Sequence, residues 1–145
     1  MTGGGSVFTT TSAIGQPPIG TRVTHGFELH CNPLELPNNL EINWDGGNNF
    51  KLTSLTQVTC TDDPLINQKP PNAGFDTLIA QGIGKLNGQA GATITFTLVD
   101  AGEPGSNDTA YFLIKNAGGT VVLKVGAPDF ANSATLTKGN QQAHK

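Results

Sequence analysis

Apolar and polar positions alternate along most of this chain, and the alternation has a period of two. In "ATITFTLV", residues 92–99, Ile94, Phe96 and Leu98 fall on one side of an extended backbone, and Thr93, Thr95 and Thr97 fall on the other. That pattern predicts a strand with one face in a core and one in water. "AYFLIK" sets Ala110, Phe112 and Ile114 opposite Tyr111, Leu113 and Lys115, a more deeply buried strand. Strands are predicted near 6–12, 21–31, 39–44, 49–60, 76–86, 91–100, 108–116, 119–125 and 133–138. No segment repeats apolar residues at i, i+3, i+4 and i+7 over three turns, so almost nothing reads as helix.

Turn chemistry separates these strands. Asp45-Gly46-Gly47, Asn87-Gly88 and Gly118-Gly119 supply residues that tolerate positive φ, as tight hairpins require. The segment 61–75, "TDDPLINQKPPNAGF", carries three prolines and reads as an ordered, irregular crossover over one end. Hairpins plus one long crossover predict an all-β domain spanning 1–145, an antiparallel two-sheet β-sandwich of about nine strands.

Composition narrows the function classes. Charged residues make up 13% of the chain, the formal net charge is −3, and the eight Lys and Arg are scattered. Nucleic-acid binding, which wants a basic stripe, is therefore not expected. No apolar run approaches the eighteen or so residues of a membrane helix, so no membrane insertion is expected. "MTGGGSVF" lacks the basic and apolar regions of a signal peptide, and it reads as a boundary from which an export signal has been removed, with a cytoplasmic protein as the alternative. Cys31 and Cys60 form no CxxC, which leaves a disulfide and an exported protein as the favoured reading. Two separate buried thiols are the alternative.

"RVTHGFELHC", residues 22–31, gathers two histidines, a glutamate and a cysteine. Strand parity divides them: Val23, His25, Phe27, Leu29 and Cys31 face the core, while Glu28 and His30 face out. His25 is expected to be a hydrogen-bonded structural histidine, with a bulge at Gly26 and an approach to His144 as the route to a metal site. The acidic loop "DAGEPGSND" offers Asp100, Glu103 and Asp108 as a candidate calcium site, and a purely structural turn is the competing reading. Trp44 and Tyr111 are candidate ligand contacts for a sugar, set against the commoner role of aromatics in a core. No G-x-S-x-G elbow or phosphate-cradling loop occurs, and no enzymatic activity or resident cofactor is expected.

"GGGSVF", "TRVTHGFELHC" with "PNNLEINW", "GIGKLNGQAGATITFTLVDAGEPGSNDTAYFLI" and "GNQQAH" occur in that order. Together they resemble a family of Gly-rich β domains at the C-termini of bacterial secreted and surface proteins, the post-choice-of-anchor domains. The chain departs from that pattern at "HGFELHC", where the family commonly has "FGFN", and resembles a cysteine-containing branch. The resemblance makes a Cys31–Cys60 bridge more plausible and implies an extracellular, non-enzymatic structural or adhesive module. The rival reading is a calcium-assisted module that binds carbohydrate or protein. The expected partner is a surface glycan or protein, and the expected state is a monomer or a weak homo-oligomer. Any self-assembly is expected through the Thr-rich edge strand 6–12.

Overall fold

A computed structural model describes residues 1–68 and 73–144. The chain is all-β, with ten strands in one antiparallel sheet. They are β1 (Thr2–Phe8), β2 (Arg22–Glu28), β3 (Asn39–Trp44), β4 (Asn48–Thr61), β5 (Thr77–Leu86), β6 (Gln89–Val99), β7 (Thr109–Lys115), β8 (Val121–Val125), β9 (Ala134–Thr135) and β10 (Lys138–Gln142). Strands β1 to β8 pair in sequence order as a meander.

The last segment closes this meander on itself. β8 and β9 lie along the same edge of β7, interrupted by an excursion that leaves at Gly126 and returns at Ser133. Two residues later β10 pairs with β1, from Ser6↔Lys138 to Thr2↔Gln142. The backbone N–H groups of Leu136 and Thr137 donate to Asp108 O and Ser6 O and carry the join across. The hydrogen bonds thus form one continuous ring rather than the two separate sheets that the sandwich expectation implies. Long strands make this possible. β4 runs for 14 residues and bends at two bulges, so it serves both sides of the core.

Those bulges follow from the sequence of β4. Its apolar residues fall at 50, 52, 55, 58 and 60, so the period-two pattern slips twice. Thr53 and Thr56 are the extra residues, each without a partner on β5, and they keep Phe50, Leu52 and Leu55 buried. Opposite them, β5 presents Gly82 and Gly84. A Cβ at Gly84 would stand 2.6 Å from the Phe50 ring, so the missing side chain leaves room for the aromatic one.

Inside the ring, Ile94, Phe96, Leu98, Ala110, Phe112 and Ile114 are buried as the alternation predicts. The Asn87-Gly88 turn has φ of 51° and 81° and joins β5 to β6 with two residues, as a type I′ hairpin requires. Three expectations need correction. Residues 9–12 lie outside β1, and β1 is paired on both sides, so the proposed Thr-rich edge strand is not an edge. β2 ends at Glu28, and Cys31 is exposed rather than on the core face, because the chain turns into a loop after Leu29. Segment 61–75 is no crossover: it links β4 to its neighbour β5, and its Pro70-Pro71 pair lies outside the described residues. Among the described residues no helix is long and apolar enough to cross a membrane.

Candidate functional site

The meander gives the ring two unlike ends. At the turn end lie the β1–β2 loop and three short reversals, at 45–47, 87–88 and 116–120. At the loop end lie three long connections, at 29–38, 62–76 and 100–108, together with both chain ends. The candidate residues named from the sequence gather mainly at the loop end.

The acidic loop 100–108 meets the last strand there. β10 extends past the end of β7, so the N–H groups on its outer edge have no strand to bond. Carboxylates take their place: Asp108 Oδ2 accepts from Gln141 N at 2.7 Å, and Asp100 Oδ2 accepts from Ala143 N at 2.9 Å. The remaining oxygens hold the loop itself, with Ala101 N donating to Asp108 Oδ1 and Gly102 N to Asp100 Oδ1, both at 2.9 Å. Glu103 Oε1 accepts from Asn140 Nδ2 at 2.9 Å. Gly105 packs against Asn140 so closely that a Cβ would collide with it. Asp108 is fully buried, and burial pushes its carboxyl up to about 6, against the opposing pull of the Gln141 and Ala101 N–H groups. The loop that the sequence offered for calcium therefore clasps β10 with those carboxylates. Among the described residues no group of three or more His, Cys, Asp or Glu side chains is arranged to hold a metal ion.

His25 points into the ring. Its ring stacks on Phe27 at 6.0 Å and meets the edge of Phe112 at 5.1 Å. Gln141 Nε2 lies 3.3 Å from His25 Nε2, and an amide NH₂ can only donate, which leaves the proton of the neutral ring on Nδ1. Burial lowers its pKa to about 4, so the imidazole is neutral at pH 7. His25 Nδ1 and Gln141 Oε1 are buried without a hydrogen-bond partner among the described residues. His25 is thus a core histidine whose partner is Gln141. His144 instead approaches Thr2, with Nε2 at 2.6 Å from Oγ1.

The third feature is a groove of about 780 Å³ between loop 29–38, Gly74-Phe75 and the two chain ends. The Cys31–Cys60 disulfide, with Cα atoms 5.6 Å apart, joins the first loop to the end of β4. Met1, Leu29 and Phe75 make the apolar wall, and Glu28, His30, Glu35 and His144 stand around it. His30 Nδ1 donates to Pro37 O at 2.7 Å, which turns Nε2 toward Glu35 Oε1 at 3.9 Å. Buried Asp76 ties the two ends of the next connection together: its Oδ2 accepts from Asp63 N and its Oδ1 accepts from the Thr77 hydroxyl. Leu34, Leu36 and Leu65 stand out from these two loops, 87%, 78% and 91% exposed.

Trp44 and Tyr111 do not form one stacking surface. Trp44 is buried on the inner face of β3, and Tyr111 is buried on the outer face of β7. Sequence reasoning missed Gln141 and Asp76, although parity with Ala143 put Gln141 on an inward face. It missed the groove because no local pattern shows that distant segments will meet. Compared with protein-family models, curated proteins and solved structures, the chain matches none.

Proposed function

We propose that this protein is a non-enzymatic structural or adhesive module of a bacterial secreted or cell-surface protein, making contact through its loop end. The observation that carries this reading is the use of its reactive residue types. His25 packs between phenylalanines, Asp76, Asp100 and Asp108 accept backbone N–H groups, and both cysteines are bridged. What the loop end leaves open is an apolar groove flanked by exposed leucines, a surface suited to binding rather than chemistry. The disulfide is compatible with an extracellular location. The resemblance to post-choice-of-anchor domains points the same way.

Display of the chain on a non-adherent bacterium tests the reading. Retention on protein-coated or polysaccharide-coated surfaces under flow is expected to exceed that of a display control. Equal retention on every surface would sink it. The calcium-assisted carbohydrate reading has less support, because the acidic loop's oxygens already accept hydrogen bonds and the two aromatic candidates are buried apart. Glycan binding that calcium supports and EDTA abolishes would restore it.

A further inference from the structure

We infer that copies of this chain associate end to end, with the β1–β2 loop of one copy seated in the loop-end groove of the next. The inference deepens the reading of the groove as a contact surface and rests on it.

Charge is polarised along the axis of the ring. At the loop end Glu28, Glu35 and Asp62 are exposed and Asp63 and Glu103 half-buried, and the described residues of its loops carry no Lys or Arg. Lys69 and Lys145 lie outside the described residues, and with both counted the carboxylates remain in excess. The other half carries exposed Arg22, Lys51, Lys85 and Lys115 against Glu41 and Asp45. Two copies laid end to end place these opposite fields together, which favours that orientation and disfavours pairing of like ends.

The turn end also carries an apolar projection. Gln16 N donates to Ala13 O and closes a turn with Ile14 at its tip, 100% exposed. Ile19, in the same loop, is 68% exposed. The base of the loop is tied down: Gly20 N donates to Thr9 O, the Thr9 hydroxyl to Pro18 O, and the Ser12 hydroxyl to Pro17 O. A side chain held out on an ordered loop loses little freedom when it is buried by a partner. The groove of about 780 Å³, with Met1, Leu29 and Phe75 as its wall, supplies an apolar receptor of the right scale. Because projection and groove lie at opposite ends, every bound copy keeps one of each free, and the assembly is open rather than closed.

Sedimentation velocity across a wide concentration range tests this. The intact chain is expected to grow in mean size with concentration at low salt, and to need at least about tenfold more protein for the same growth at about 0.5 M salt. Ile14→Asp removes the projection, and Glu28→Lys with Glu35→Lys reverses the groove's charge, all at exposed positions. Each variant alone is expected to stay monomeric, while an equimolar mixture forms dimers and nothing larger, since only one intact projection faces one intact groove. An intact chain that is monomeric throughout, variants that assemble like the intact chain, or a mixture that does not pair would overturn the inference. A monomeric chain whose displaying cells are still retained removes end-to-end association alone. Association without retention removes adhesion alone.

Discussion

At one end of the ring the β1–β2 loop lies beside three short reversals, Asp45–Gly47, Asn87-Gly88 and 116–120, whose backbone turns are set by their own few residues. At the other end three connections of nine residues or more meet both chain ends, and their order comes from bonds between residues far apart in sequence. Cys31 reaches Cys60, Asp108 reaches Gln141, and Asp100 reaches Ala143. The turn end leaves a space of about 330 Å³ where the β1–β2 loop lies beside Asp45 and Asn87. The loop end leaves one of about 780 Å³, because loops fastened at single points need not fill the space between them. The larger groove therefore belongs to the end held by a few long-range cross-links.

The largest effect that would break this contrast comes from the disulfide. Replacing Cys31 and Cys60 with Ala is expected to cost about 3 to 4 kcal/mol, from the entropy of closing a loop of 29 residues. Denaturant titration measures the loss, and hydrogen exchange should speed up in 29–38 and 73–76 while the amides near Asn87 stay protected. Equal acceleration at both ends would remove the distinction.

Asp108→Ala comes next, at about 2 to 3 kcal/mol, because it leaves the Ala101 and Gln141 N–H groups unpaired. Its mark should be exchange in β10, with the disulfide loops unaffected. At the turn end, Gly88→Ala is expected to cost only about 1 kcal/mol, as a Cβ at φ of 81° strains one hairpin and touches nothing else.

The smallest effect is in pH dependence. Folding holds the proton of Asp108 up to about 6 against an ordinary value of 3.8, so its contribution to stability is present below about 3.8 and is lost as pH rises through 6. His25 works the other way: its contribution is present above 6.5 and is lost as pH falls through about 4. Between these limits the two slopes oppose. Relative to the intact chain, Asp108→Asn should make stability rise more with pH over this range, and His25→Asn should make it fall more. Urea midpoints across pH 4 to 6.5 check this, and a shift of both variants in one direction would refute it.

Much of the fold was legible. The alternation in 92–98 and 110–114 identified the inward residues, and Asn87-Gly88 identified a hairpin, because side-chain period and turn conformation are local properties. That the strands form one sheet was not legible, since alternation says which face is buried and not where a sheet stops. The spacing 50, 52, 55, 58, 60 did hold the clue to the bent β4. In the site, parity placed His25 inside and divided it from His30, but it carried Cys31 past the end of the strand into the core. "DAGEPGSND" was legible as an organised acidic loop, and its partner was not, because calcium and a row of backbone N–H groups ask the same oxygens of it.

By itself the sequence determined an antiparallel β chain with short hairpins, an apolar inner face and a polar outer one. Strand periodicity and turn residues act over a few positions, and any fold of this chain must satisfy them. Only the tertiary structure decided that the meander closes into a ring through β9 and β10, that Asp100 and Asp108 stand in for a missing strand, and that loop 29–38, Gly74-Phe75 and the chain ends leave a groove. Each depends on which distant segments meet, and backbone N–H groups left unpaired at β10 select their acceptors only after the ring has brought them together.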